Sequence, residues 1–193
     1  KDRIWGSVSD SFGSHDDTTE GDSGPISRSI GSGPVDSINW LMPAQRLLLG
    51  AEGAIWVARS SSFDEPLTPT NFNLKDPITD GAYEVAALKV GSSAVYVDAG
   101  SSRVFEAQYD GGSALDYGNR ELTAHVPEVC DAGVVRTAVQ RRPEQRCHFI
   151  QSDGTAAVLV FDKEEEVTCW IDVETDGAIE DVCVLPGTVE DQV

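Results

Sequence analysis

Apolar and polar residues alternate with a period of two along most of this chain, and short glycine-containing turns interrupt the alternation. Ala94–Val97 and Arg103–Tyr109, for example, flank the turn Asp98–Ser102. Successive side chains of a β-strand point to opposite faces, so this period is typical of strands that pack on a core. We find no convincing amphipathic helical period. The pattern therefore predicts an all-β fold.

The same arrangement of strand, tight turn and strand recurs along the chain. Two further hairpins are predicted, Arg46–Gly50 with Ala54–Arg59 and His148–Gln151 with Ala156–Phe161. Glycine at such turns supplies the positive φ that a tight hairpin requires. Val167–Val173 and Ile179–Leu185 continue the series as predicted strands.

The spacing of these units favours one kind of all-β architecture. We count about fourteen or fifteen short strands, a number and spacing typical of a sandwich, a barrel or a propeller. Trp56, Phe105 and Phe161 follow one another at intervals of 49 and 56 residues, close to the ~40–50 residues of a four-stranded propeller blade. We therefore predict a β-propeller or partial propeller of about four four-stranded blades over residues 1–193.

Three further features concern the organisation of the chain. Residues 7–33, rich in Gly, Ser and Asp, are predicted to form a long solvated loop, and residues 60–77, with three prolines, an extended connector. The first residues of the chain are predicted to form a strand, and its last residues are predicted to form a turn that leads into another strand. We therefore expect an internal piece of a larger protein whose flanking parts are missing.

Several short segments, taken in order, resemble a known family. They are Asp2–Ser7, Ile38–Leu41, Arg46–Val57, Leu67–Asn71, Ala94–Val97, Arg103–Glu106, Ser152–Thr155, Phe161–Val167, Trp170 and Glu174–Gly177. Their sequence and order are similar to the central region of the tail nozzle, tail tubular or stabilisation proteins of short-tailed bacteriophages. The resemblance covers almost the whole chain, although this chain is far shorter than those proteins.

The resemblance implies a structural function in a virion. It implies a propeller-like domain in a ring, with six copies expected, that lies below the portal and adaptor proteins of a tail. Such a ring retains packaged DNA and forms the channel for its ejection. The resemblance implies no catalytic residue, no cofactor and no membrane partner, and it implies assembly in the host cytoplasm.

The charge of the chain excludes some functions and suits others. Its 33 acidic and 14 basic residues give a formal net charge of −19, which argues against a cationic surface for nucleic acid or anionic lipid. Residues 151–193 alone hold twelve acidic side chains and one basic side chain. Carboxylates on a channel wall would repel DNA and let it slide, whereas carboxylates on an outer surface would only maintain solubility. The sequence leaves both readings open.

The charged residues that we expect to line a channel or to contact a neighbouring subunit fall into two groups. One is acidic and the other basic, so that they would attract each other across a ring. The acidic group is Glu164, Glu165, Glu166, Glu180 and Asp181, and the basic group is Arg141, Arg142 and Arg146 together with Arg136.

A metal site and an enzyme active site have weaker sequence support. Asp16, Asp17, Glu20 and Asp22 crowd one loop and are weak candidates for calcium, but their spacing misses the EF-hand pattern. No Gly-x-Ser-x-Gly nucleophile elbow is present, and Ser152–Thr155 is better explained as a hairpin turn than as part of a sialidase motif. We therefore predict neither a cofactor nor an enzyme.

The cysteines and tryptophans complete the sequence predictions. Cys147, Cys169 and Cys183 lie in apolar strand patterns and are predicted to be small buried thiols, not parts of a disulfide scaffold or a zinc site. All four tryptophans also lie in apolar contexts and are predicted to be core residues. An alternative function, a receptor- or glycan-binding propeller domain, would require exposed aromatic rings and is disfavoured on this ground.

Overall fold

The computed structural model confirms the all-β class and gives the bounds of the strands. It describes four ranges of the chain, 1–31, 36–62, 65–111 and 116–193. Within them lie fourteen strands, one 3₁₀ helix (Pro127–Cys130) and no α-helix. In the same ranges, no helix is long and apolar enough to cross a membrane.

A two-stranded antiparallel sheet comes first. It pairs β1 (Arg3–Gly6) with β2 (Ile26–Ser29), with Ile4 opposite Arg28. Strand β2 lies inside the predicted loop 7–33, so the irregular part of that segment is shorter than predicted. Residues 32–33 lie outside the described ranges.

Sheet 1 is an antiparallel meander of four strands. These are β3 (Ile38–Pro43), β4 (Leu47–Ala51), β5 (Ile55–Arg59) and β6 (Asn73–Ile78). Strand β6 occupies the end of the predicted connector 60–77, whose residues 63–64 lie outside the described ranges.

Sheets 2 and 3 repeat the four-stranded meander. Sheet 2 contains β7 (Leu88–Val90), β8 (Ser93–Val97), β9 (Val104–Tyr109) and β10 (Tyr117–Glu121). Sheet 3 contains β11 (Val134–Gln140), β12 (Arg146–Gln151), β13 (Ala156–Asp162) and β14 (Val167–Val173). The three hairpins predicted from sequence are confirmed as β4–β5, β8–β9 and β12–β13.

The sheets follow one another face to face, and each interface is a separate hydrophobic core. One core joins the two-stranded sheet to sheet 1, the next joins sheets 1 and 2, and the third joins sheets 2 and 3. Adjacent residues of one strand serve different cores: Val95 packs towards sheet 3, whereas Tyr96 packs towards sheet 1. The sequences of strands that are buried on both faces are therefore continuous apolar runs.

This succession of sheets is compatible with a partial β-propeller. The described residues form three four-stranded sheets and one two-stranded sheet, and no closed sheet is found among them.

One predicted strand is wrong. Residues 179–185 form no strand, and only Leu185 makes an isolated bridge, to Gln192. The apolar alternation of this segment has another cause. Instead of extending sheet 3 at its edge, the segment crosses the face of that sheet, where Ile179, Val182 and Cys183 line a groove.

Candidate functional site

The hairpin between β13 and β14 presents the acidic row that the sequence singled out. Glu164, Glu165 and Glu166 are exposed on its turn. The Asp162 carboxylate accepts the backbone N–H of Glu164 at 2.9 Å and that of Glu165 at 3.2 Å. These bonds hold the turn in one conformation, as Asx turns do. The hairpin therefore carries three successive carboxylates at a defined position.

A cluster of ionic contacts around one buried carboxylate fastens the base of this hairpin to sheet 2. The Lys163 ammonium contacts the carboxylate of Glu106 and the hydroxyl of Ser93. Glu106 lies on β9 with its side chain only 1% exposed, and Arg120 Nε lies 3.5 Å from its second oxygen. Lys163 Nζ and Arg120 Cζ also lie 5.7 and 5.6 Å from the ring centroid of Phe161, within the range of cation–π attraction.

Sequence reasoning missed this cluster. Glu106 stands in the run Val104–Ala107, whose other side chains are all apolar and buried. A charged residue at such a position has to find a partner inside the protein. That signal was present in the sequence, but the identity of the partner depends on how sheets 2 and 3 pack.

The arginine cluster contacts acidic groups of its own chain. Arg136 Nε lies 3.9 Å from the Asp181 carboxylate, and the Arg146 guanidinium donates to Glu144 at 2.7 Å. The structure thus brings Asp181 and Arg136 together, as members of the predicted acidic and basic groups, within one chain. Glu180 is exposed beside them.

The remaining two arginines hold the C-terminal segment. The Arg142 guanidinium donates to the Gly187 carbonyl at 2.6 Å. The Asp191 carboxylate accepts the backbone N–H groups of Arg141, Arg142 and Gly187 at 2.8, 3.1 and 3.1 Å. The bonds from Arg141, Gly187 and Arg142, with the nearby charge of Arg142, lower the pKa of Asp191 below its ordinary value despite an opposing effect of burial.

The calcium candidates are not gathered into a site. The Asp16 carboxylate accepts both the N–H and the hydroxyl of Thr18, and that of Asp22 accepts the hydroxyl of Thr70. Asp17 and Glu20 are exposed. Among the residues that the structure describes, no three His, Cys, Asp or Glu side chains are grouped so that they could hold a metal ion.

The prediction that all four tryptophans are core residues is wrong for the one at the N-terminus. Trp5 is 58% exposed, because it lies on the outer face of the two-stranded sheet, which no other sheet of the described residues covers. Arg3 Cζ lies 4.9 Å from its ring centroid. Phe12, at a loop tip, is 93% exposed. Trp40 and Trp56 are buried as predicted, and Trp170 is partly buried.

The cysteines are also divided differently from the prediction. Cys130 and Cys147 are buried, whereas Cys169 and Cys183 are exposed. Burial raises the pKa of both buried thiols to about 12. Cys169 belongs to the outermost strand of sheet 3, and Cys183 belongs to the segment that forms no strand, so the interior does not enclose either.

Comparison with known proteins adds no family. No protein-family model matches this chain, and no curated protein matches it.

Proposed function

We propose that this chain is a structural subunit of a phage tail, a nozzle or hub ring that retains packaged DNA and forms the channel for its ejection. In this proposal copies of the chain, six by resemblance, form the ring beside adaptor and portal-side proteins of the virion. The ring is assembled in the host cytoplasm. DNA passes through the lumen without specific binding, and the chain has no catalytic function.

The observation that carries the proposal is the anchored acidic hairpin. Glu164, Glu165 and Glu166 would face the phosphates of DNA in a narrow lumen. Electrostatic repulsion is screened beyond ~8 Å at physiological salt, so carboxylates act on DNA only if they are held close to it. The Lys163–Glu106 contact supplies such a fixed position. A hairpin that served solubility alone would not need a buried anchor.

The test measures DNA ejection from virions that carry altered copies of this chain. The variant E164K/E165K/E166K reverses the charge of the hairpin and should slow ejection, because DNA would adhere to the wall. The matched control D16K/D17K/E20K makes the same change of charge on the exposed N-terminal loop. Slowing by the hairpin variant alone supports the proposal. Unchanged kinetics, or equal slowing by both variants, contradicts it.

The position of the chain in the virion is a separate prediction. An antibody raised against residues 1–193 should label the distal tail below the portal in negative-stain electron microscopy. Labelling of peripheral fibres, or of no virion at all, would contradict the nozzle proposal.

A second candidate function, recognition of a receptor glycan, gains support from Trp5. Its indole is 58% exposed, and an exposed aromatic ring offers a sugar an apolar face to stack on. A glycan array with the wild-type chain and with W5A tests this. Binding that W5A abolishes and F12A retains would favour recognition of a glycan, and no binding by the wild-type chain would remove the candidate.

A further inference from the structure

The outer face of sheet 3 is largely apolar, although no other sheet in the described part of the chain packs on it. Phe149 and Leu159 point into the core shared with sheet 2, so the residues beside them in sequence point the other way. Those outward residues line a groove of about 620 Å³, a volume in the range of ordinary binding pockets, ~300–1,000 Å³. Its floor is formed by Arg146, His148, Ile150, Ala156, Val158, Ile171 and Val173.

The C-terminal segment 174–193 covers only one side of this face. Its Ile179 N–H donates to Gly154 O at 2.9 Å, in the turn between β12 and β13. Asp181 lies near Arg136 of β11, and Asp191 is held at the turn between β11 and β12. All these anchors lie on β11 or on the turns that flank β12. The β14 side of the groove is left uncovered.

Strand β14 is one of the two edges of sheet 3 and lacks features that protect an edge such as β6. It pairs with β13, and no described strand pairs with its other side. The edge strand β6 contains lysine, aspartate and proline, whereas Val167–Val173 contains one aspartate and neither proline nor lysine. Ile171 is 46% exposed. An unprotected apolar edge is a template for pairing with another strand.

The charge around this edge identifies the kind of partner. Glu164–Glu166 directly precede β14, Asp172 lies on it, and Glu174 and Asp176 follow it, and residues 164–193 contain no Lys or Arg. The two basic groups of the floor do not offset this charge. Arg146 is paired with Glu144. The pKa of His148 is lowered by burial and by the nearby charge of Arg146, which favours the neutral imidazole. A second copy would bring the same acidic surface to the same edge, and like charges would repel it.

We propose that β14 accepts an added strand from a partner protein: an extended basic segment whose alternate apolar side chains enter the groove beside Ile171. Main-chain hydrogen bonds to β14 would supply affinity, as in other cases of β-strand addition. The apolar side chains would pack against Ile171 and Val173, and lysine or arginine would meet the carboxylates at the two ends of β14, Glu164–Glu166 and Glu174 with Asp176.

The test uses a fluorescent peptide of about nine residues in which valine and lysine alternate, since strands are usually 3–10 residues long. Fluorescence anisotropy with the wild-type chain should show binding that weakens as salt increases. The same peptide with glutamate in place of lysine should not bind. Amide hydrogen exchange in Val167–Val173 should slow when the lysine peptide is present.

Two variants of β14 separate pairing at this edge from general attraction to an acidic protein. I171K places a lysine on the groove face and should weaken binding about tenfold or more. T168K makes the same change of charge on the opposite face of β14 and should change binding about threefold at most.

Three results of the peptide experiments would overturn the proposal. They are equal binding of the basic and acidic peptides, an equal effect of I171K and T168K, and binding without slowed exchange in β14. Slowed exchange that rises with protein concentration in the absence of peptide would assign the edge to a second copy instead.

Discussion

Replacing Lys163 with methionine tests whether the ion cluster around Glu106 joins sheets 2 and 3. The change keeps the length of the side chain and removes its charge. It leaves the carboxylate of Glu106, which is 1% exposed, with Arg120 as its remaining cationic partner. Arg120 is itself 57% exposed, so water reaches this cluster and replaces the lost ammonium only in part.

The expected cost follows from the unequal burial of the two partners. Removing one partner of a fully buried ion pair costs ~3–5 kcal/mol. Lys163 itself is 35% exposed and Arg120 remains, so we expect K163M to lower the free energy of unfolding by about 2–3 kcal/mol. E106Q leaves a lysine that can turn towards water and should cost about 1 kcal/mol. The double variant K163M/E106M removes both charges and should lie within about 1 kcal/mol of the wild type.

Urea unfolding followed by tryptophan fluorescence measures these differences. In a chain of this size K163M should lower the midpoint of thermal unfolding by about 4–12 °C. The reasoning is refuted if K163M costs no more than E106Q, or if the double variant loses as much stability as the two single changes added together.

Three further predictions concern packing, thiol reactivity and pH. A Cβ at Gly50 would lie 2.0 Å from the Trp40 ring, so G50A should lower the free energy of unfolding, measured in urea, by about 1–3 kcal/mol. The control is G118A, where a Cβ would meet nothing within 4 Å. Equal effects of the two variants would contradict the close packing of Trp40 on Gly50. A thiol reagent at pH 8 should modify the two exposed cysteines of the native chain and reach the two buried ones, with their pKa of about 12, only after unfolding; rapid modification of all four would contradict their burial. Because the pKa of Asp191 is lower in the folded chain, the stability that it contributes is present above its ordinary pKa of 3.8 and is lost as the pH falls through the folded value. At such low pH the amide hydrogens of the C-terminal segment should exchange faster relative to those of β12. The D191N variant should show the same acceleration at neutral pH. No such acceleration in either case would contradict the anchoring role of Asp191.

Most strands were predictable because their signals are local. A strand, a glycine turn and a second strand of apolar residues specify a hairpin through φ preferences and the two-residue period alone. The pairs β4–β5, β8–β9 and β12–β13 follow this pattern. The prediction of about four four-stranded units was less accurate, because the described residues form three four-stranded sheets and one two-stranded sheet.

The candidate site was only partly predictable. The acidic row Glu164–Glu166 is visible in the sequence, but its anchor at Glu106 lies 57 residues before Lys163 and exists only because sheets 2 and 3 pack. The groove was missed because Ile179–Leu185 has the alternation of a strand. Alternation of apolar and polar residues indicates that one face of a segment is covered. It does not distinguish a strand paired within a sheet from an unpaired segment that crosses the face of a sheet.

The sequence by itself determined the all-β class, the hairpins and the strongly acidic surface, since these depend on residues close in the chain or on composition. Only the tertiary structure decided which apolar residues became core. Trp5 and Trp56 stand in similar local patterns, yet Trp56 is covered by the two-stranded sheet and Trp5 lies on its open face. Burial depends on what packs above a strand, and that is a property of the whole arrangement of sheets.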